Sequence, residues 1–285
     1  MGSIEADPHR ITDLIRLALE EDVADGDHSS LAAVPADRQE RARLLVKQDG
    51  ILAGVSAGIE VFREADPSLV IGQILHDGDA IRVGDIVLTV SGSARSILKA
   101  ERLVLNIMQR MSGIATHTRE MVSLIGDLPV KLLDTRKTTP NFRIFEKMAT
   151  AVGGAHNHRM GLYDMIMLKD NHIDYAGGIE AAILKTRAYL THTGKDLKIE
   201  IETRNLGEVD EVLRIGGVDI IMLDNFSPED MREAVKRIGG RFETEASGNI
   251  TKENIRRIAE TGVDGISSGA LTHQVKSLDL SLKAY

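Results

Sequence analysis

KIEIET (198–203), VDIIMLDN (218–225), RFETEASG (241–248) and VDGISSG (263–269) follow one another at intervals of roughly twenty residues, each apolar in its body and polar or small at its end. A short strand, a helix-length segment and another short strand form the β-α repeat of a parallel sheet. Upstream, YDMIMLKDN (163–171) and VKLLDT (130–135) extend the series. Six such strands predict an α/β chain whose larger part is a β/α barrel. Closure is left open because six is short of the usual eight, and a doubly wound sheet is the competing arrangement. In a barrel the reactive groups collect at the C-terminal strand ends. Here those ends carry Asp134 and Thr135, Lys169 and Asn171, Glu200 and Glu202, Asp224 and Asn225, Ser247 and Gly248, and Ser268 and Gly269.

The region before the repeat reads differently. Ile11–Glu21 has the spacing of an amphipathic helix, and ARLLVKQDGILAGV and VIGQILHDGDAIRVGDIVLTVSG are short β-like runs broken by Gly turns. Ala94 to about Ser123 turns helical again. Gly113 is read as interrupting that helix, with a domain boundary beside it.

Composition narrows the class. The chain has 285 residues, 42% hydrophobic and 27% charged, a formal net charge of −8 and no Cys. Disulfides, thiolate catalysis and Cys-ligated metals are therefore excluded. Three per cent aromatic residues and no Trp argue against a stacking platform for nucleic acid. No apolar run reaches the ~20 residues of a membrane span, and MGSIEADPHR has no apolar leader. A soluble cytoplasmic protein is expected.

Against this acidic background, Leu132–His172 concentrates Arg136, Lys137, His158, Arg159, Lys169 and His172. Such a cluster suits a small, highly charged anion. The spacing of His156, His158 and His172 matches no zinc signature. Alternation puts Lys198, Glu200 and Glu202 on one strand face, and Met165, Met167, Lys169 and Asn171 on another. Glu200 and Asp224 are candidates for Mg²⁺ or for ribose hydroxyls. The turns EASGNI (245–250) and SSGA (267–270) offer backbone N–H groups for a phosphate, or are small only for steric reasons. Arg102, on the helix before the barrel, has the ordinary alternative of an exposed helical arginine paired with Glu101.

ERLVLNIMQRMSGIAT, LLDTRKTTP, GGAHNHRMGLYDMIMLKDNHI, IEIET, IIMLDN, EASGNI and GALTH together resemble the quinolinate phosphoribosyltransferase family, and the likeness covers nearly the whole chain. The resemblance implies an N-terminal α/β sandwich domain (1–112), a partly open β/α barrel of about six to seven strands (113–272) and a C-terminal segment (273–285) that packs back on the first domain. It implies transfer of the phosphoribosyl group of phosphoribosyl pyrophosphate (PRPP) to quinolinate, with Mg²⁺ and loss of CO₂. The product would be nicotinate mononucleotide, on the route to NAD. By motif, Thr135, Arg136, Lys137, His158, Arg159 and Lys169 resemble the family's quinolinate and pyrophosphate contacts. Glu200 and Asp224 resemble its acidic pair near ribose and metal. Ser247, Gly248 and Asn249, with Ser268, Gly269 and Ala270, resemble the 5-phosphate loops, with His273 close by. Arg102 resembles the arginine that reaches into the neighbouring subunit's site, in a homodimer or homohexamer. Lys137, Lys169, Glu200 and Asp224 are the expected catalytic groups.

Two positions depart from the family pattern. A GDIT-type turn reads Gly26-Asp27-His28-Ser29, and an SGG-type turn reads Ser247-Gly248-Asn249. Asn tolerates left-handed backbone better than most residues, so the second turn is expected to survive. A nicotinate-specific transferase and a non-catalytic phosphosugar binder are the rival readings.

Overall fold

The computed structural model describes residues 8–285, and the reading of the first seven residues as lacking a leader falls outside them. The chain begins α1 (Pro8–Val23), α2 (His28–Ala33), β1 (Gln39–Val46), β2 (Gly50–Ile51), α3 (Val55–Ala65), β3 (Val70–Gln73), β4 (Ala80–Ile81), β5 (Ile86–Ser93) and α4 (Ala94–Ile125). It continues β6 (Lys131–Leu133), α5 (Arg143–Gly153), β7 (Ile166–Leu168), α6 (Asp170–Ala176), α7 (Ile179–Thr193), β8 (Ile199–Thr203) and α8 (Leu206–Ile215). The last elements are β9 (Ile220–Asp224), α9 (Pro228–Ile238), β10 (Glu243–Ser247), α10 (Ile255–Ala259), β11 (Gly265–Ser267), α11 (Ala270–His273) and β12 (Leu280–Ala284). Among the described residues no helix is long and apolar enough to cross a membrane.

Contacts divide the chain into two compact units. Among the described residues, one holds 8–120, Thr138–Gly154 and Leu271–Tyr285. Its antiparallel sheet has the order β12-β1-β5-β3, so the last strand pairs with the first. Alternation along β1 turns Ala42, Leu44 and Val46 inward, where they meet Leu88 and Val90 of β5 and Phe62 of α3 in one core. His28, for which the sequence offered no role, opens α2 behind the N-cap Asp27, whose side chain accepts from Ser30 N.

Gly113 does not interrupt α4, which runs unbroken from Ala94 to Ile125, so the division at 112/113 falls inside a helix. The glycine answers to packing: a Cβ there would lie 2.2 Å from the Lys276 carbonyl oxygen. Its missing side chain admits a backbone segment, at the modest helix cost of glycine.

The other unit holds Met121–Lys137 and Ala155–Ala270. Its sheet is parallel, in the order β6-β11-β10-β9-β8-β7, and a single parallel bridge adds His156 beyond Leu133. Ile201, Ile221, Leu223, Ala246 and Ile266 are fully buried in it. The intervening helices start where the sequence supplies caps. Asn205 accepts from Glu208 N before α8, and Ser227 accepts from Asp230 N before α9, where Pro228 stands in the first turn.

This sheet curls. His158 lies just past the His156 bridge, five strand positions from β8, which in a flat sheet is roughly 24 Å. Yet its Nε2 is 3.1 Å from Glu200 on β8. Among the described residues β7 is not paired as a strand with the far edge, so the sheet is open between β7 and the His156 bridge. The doubly wound alternative is thereby set aside.

Candidate active site

Three adjacent strands bring one ionic group to the rim. Lys169 follows β7, Glu202 is near the end of β8, and Asp224 ends β9. Lys169 Nζ is 3.8 Å from Glu202 Oε2. Burial raises the Glu202 carboxyl above its ordinary range and Lys169 pulls it back, while Asp224 and Asp170 push it further up. Two carboxylates that repel across a half-open rim form a site suited to a cation or to hydroxyl donors.

Glu200 is not part of that rim, which corrects the pairing of Glu200 with Asp224. It shares a face with Glu202, but one layer deeper, and is 0% exposed. There it meets His158 and Glu245 of β10: His158 Nε2 is 3.1 Å from Glu200 Oε2 and 3.2 Å from Glu245 Oε2. His158 therefore does not present a ring nitrogen as a substrate contact. Its Nδ1 accepts the Arg159 backbone N–H at 2.8 Å. Burial lowers the imidazole pKa, and the two carboxylates more than reverse this, raising it to about 10. A second ring proton would have to sit on Nδ1, however, facing the Arg159 N–H. The hydrogen-bond geometry decides for the neutral ring with its proton on Nε2. Burial and the Glu245 charge raise Glu200 to about 7, against the pull of His158 and Arg159.

These three side chains also have the spacing of a metal site, with one potential ligand atom from each all within 4.8 Å. A metal on Nε2 would need that nitrogen unprotonated and would favour an N–H on Nδ1. Nδ1 is an acceptor, so the trio is a close-packed acid–imidazole group with Nε2 facing the two carboxylates at 3.1 and 3.2 Å.

The NHR segment is held from two sides. Asp134, fully buried after β6, accepts from His158 N at 2.9 Å and from Asn157 Nδ2 at 2.6 Å. Arg159 is 8% exposed, with Nη1 donating to the Met165 carbonyl at 3.2 Å and Nη2 reaching Met167 Sδ at 3.5 Å. Burial, then the charge of Arg136, draws the Arg159 pKa down, against Glu200 and Asp164. Arg136 and Arg159 are thus neighbouring guanidinium groups whose mutual repulsion an anion relieves. Thr135 Oγ1 accepts from Lys137 N at 3.1 Å, shaping the exposed turn that carries Lys137. His172 lies outside this group: its Nδ1 caps α6 by accepting from Lys169 N at 3.0 Å. His156 is exposed.

At the ends of the paired strands β10 and β11 stand the two small turns. Asn249 takes φ 51 and Asn225 φ 55, both left-handed. Asn249 Nδ2 donates to Asn225 Oδ1 at 3.0 Å, and Asn225 Nδ2 donates to Asp224 Oδ2 at 2.8 Å. A Cβ on Gly248 would lie 2.2 Å from Asn225 Oδ1, so that position needs glycine for space as well as for its φ of 101. In the second turn Ser268 is buried, its N–H donating to the Leu133 carbonyl at 3.0 Å, and Gly269 leads into Ala270 at the start of α11. Arg102 is exposed on α4 in the other unit, which also holds His273, exposed at the end of α11.

Asp134, Glu202 and Asn225 stood among the sequence-derived strand ends without an assigned role, and Glu245 was absent; period-two alternation from Ser247 back through Glu245 would have flagged it.

Comparison with known proteins identifies the arrangement. Residues 27–112 match the model of the quinolinate phosphoribosyl transferase N-terminal domain, and residues 114–283 that of the C-terminal domain. Quinolinate phosphoribosyltransferase [decarboxylating] 1b of Nicotiana tabacum is 47% identical over 285 residues, covering 95% of this chain and 81% of its own. A chloroplastic nicotinate-nucleotide pyrophosphorylase [carboxylating] of Arabidopsis thaliana is 46% identical, with 95% and 81% covered. The crystal structure of NadC from Streptococcus pyogenes superposes with a TM-score of 0.92 at 42% identity, over 99% of this chain and all of the other. With both domain models matched in order and relatives near half identity along its length, the chain belongs to the quinolinate phosphoribosyltransferase family.

Proposed function

We propose that this protein transfers the phosphoribosyl group of PRPP to the ring nitrogen of quinolinate and that the adduct loses CO₂, giving nicotinate mononucleotide and pyrophosphate. The observation that carries the reading is the pairing, in one barrel, of an Arg136–Arg159 anion site with an acidic rim at Glu202 and Asp224.

Both substrates are polyanions, so their repulsion must be offset by fixed cations. Arginine binds carboxylates through parallel N–H donors, whereas lysine acts as a point charge. Arg136 and Arg159 accordingly take the quinolinate carboxylates, with Lys169 beside the ring. Arg159 has spent only two of its five N–H groups on protein atoms, one of them on a weak sulfur acceptor. Lys169 is half-exposed and holds Glu202 at 3.8 Å, a pairing loose enough to be exchanged for a substrate carboxylate. Lys137, exposed on its turn, meets the departing pyrophosphate. The turns Ser247–Asn249 and Ser268–Ala270 hold the 5-phosphate, with the Ser268 N–H itself committed to the Leu133 carbonyl.

Carboxylate oxygens are hard donors suited to Mg²⁺, and the like-charged pair Glu202 and Asp224 fits that ion, whereas Glu200 does not. Mg²⁺ supplies charge neutralisation of the pyrophosphate. Glu202 and Asp224 face positive charge that develops on the ribose as the C–O bond to pyrophosphate breaks. After the C–N bond forms, the pyridinium charge stabilises the electron pair left on C2 when CO₂ departs, and solvent returns a proton there.

Incubation with PRPP, Mg²⁺ and quinolinate should release CO₂ in step with pyrophosphate. Nicotinate consumption without CO₂ would replace this reading with the rival transferase, and absence of both with the phosphosugar binder. The proposal includes a homo-oligomer, dimer or hexamer, in which Arg102 serves a neighbour's site. Mixing Arg102→Ala with Asp224→Asn protein should then restore part of the lost activity, and failure of every such mixture removes the shared site. It also includes a cytoplasmic location; the plant relatives carry chloroplastic and mitochondrial names, so fractionation of the native cell is the check.

A further inference from the structure

Below the rim, the barrel buries three ionisable groups that the proposed reaction does not use directly. Glu200, Glu245 and His158 are 0%, 2% and 4% exposed. Taking two carboxylates out of water costs several kcal/mol each, and one neutral imidazole N–H cannot align with both. Glu200 Oε1 and Glu245 Oε1 are buried without a hydrogen-bond partner. Apolar residues of similar volume would stabilise such a layer at least as well. The cluster therefore calls for a reason outside stability.

Its connections supply one. Both carboxylates converge on Nε2 of His158, and on the opposite side of the ring Nδ1 receives the Arg159 backbone N–H at 2.8 Å. Asp134 fixes the His158 backbone at 2.9 Å. The ring is thereby hydrogen-bonded at Nδ1 and faces both carboxylates at Nε2, and Arg159 follows it directly in the chain. Glu200 also adds negative potential where the Arg159 and Arg136 charges repel.

We propose that Glu245, acting with Glu200, is a positioning residue for substrate binding: the two carboxylates lock the His158 ring, and the ring sets the place of the Arg159 guanidinium. This rests on the reading that Arg159 meets a quinolinate carboxylate. Glu245 touches no substrate itself. A misplacement of about 1 Å in such a group is enough to lower turnover by up to about a hundredfold.

The test is Glu245→Gln in the full-length protein, which keeps the shape and an acceptor but removes the charge. The quinolinate KM should rise at least about tenfold, the PRPP KM should stay within about twofold, and the melting temperature should hold or increase. Glu245→Met, which removes the polar group entirely, should show the same split between substrates with equal or higher stability. Quinolinate and PRPP constants both within about twofold of wild type in a folded variant overturn the inference, as does an equal rise in both. Failure of both variants to fold makes Glu245 a structural residue and overturns it as well. Wild-type protein that neither binds nor consumes quinolinate instead overturns the functional reading beneath it, an outcome seen before any variant is made.

Discussion

Glu200 and Glu202 lie two residues apart on β8, on the same face of the same strand, yet they belong to different regions of the barrel. Glu202, at the rim, shares its surroundings with Lys169, Asp224 and Asp170. Glu200, one layer down, faces His158 and Glu245, feels the charge of Arg159 and is sealed from solvent. At the rim Lys169 and Glu202 form a loose, partly exposed pair at 3.8 Å beside Asp224, whereas the interior packs its ionisable groups together away from water. Depth along a strand, more than residue type, separates the rim groups from those enclosed in the barrel.

The largest test of this division is removal of the rim charge. Glu202→Gln and Asp224→Asn should each lower kcat by about a hundredfold or more while the melting temperature stays near wild type, because the groups act on charge that develops only during reaction. Steady-state rates with melts on the same preparations measure both. If Glu200→Gln lost as much kcat with both KM values unchanged, the interior would be catalytic and the division would break.

A second test concerns the interior alone. Glu200 is raised to about 7 from an ordinary value of 4.5. A carboxyl whose folded-state pKa is raised binds its proton more tightly in the native protein. Its contribution to stability is complete below the unfolded value and is lost as pH rises through 7. Glu200→Gln cannot lose that contribution. The melting temperature of the variant relative to wild type should therefore climb by a few degrees between about pH 5 and 8. A difference that is flat across this range would show Glu200 to be ionised and stably paired throughout. Glu202, closer to solvent, should give a smaller change in the same experiment.

Why the sequence merged these regions is instructive. Alternation reports which face of a strand a residue occupies, and it placed Glu200 and Glu202 together correctly. It carries no information about layer, which depends on where neighbouring strands start and stop. The Glu245 alignment with Gly265 and Met222 is a property of three strands at once. The surroundings of His158 were illegible for a related reason: nothing in a basic cluster shows that its two ring nitrogens face Arg159, Glu200 and Glu245. Gly113 failed differently, since a helix interior tolerates glycine wherever another segment must approach closely. The strand series, the polar strand ends and the small turns were all legible, because they follow from local periodicity and turn chemistry.

The smallest effect is expected where a prediction from local chemistry alone was met. Asn249 was expected to preserve its turn by adopting left-handed backbone, and it does so at φ 51. Two opposing contributions decide what Asn249→Gly would do. Glycine enters the left-handed region without the steric cost that any L side chain bears, which favours the variant by a few tenths of a kcal/mol. Against this, the amide donates to Asn225 Oδ1 at 3.0 Å, and Asn225 in turn holds Asp224. An exposed hydrogen bond of this kind contributes about 0.5–1 kcal/mol. The two nearly cancel in stability but not in geometry, since the asparagine adds a side-chain tie from the turn to Asn225, beside the backbone bond of Asn225 N to the Ser247 carbonyl. Asn249→Gly should therefore melt within about 2 °C of wild type while its PRPP KM rises about two- to fivefold and its quinolinate KM stays unchanged. An unchanged PRPP KM would show that the turn is set by its backbone alone, leaving Asp224 and the phosphate turn as independent parts of the rim.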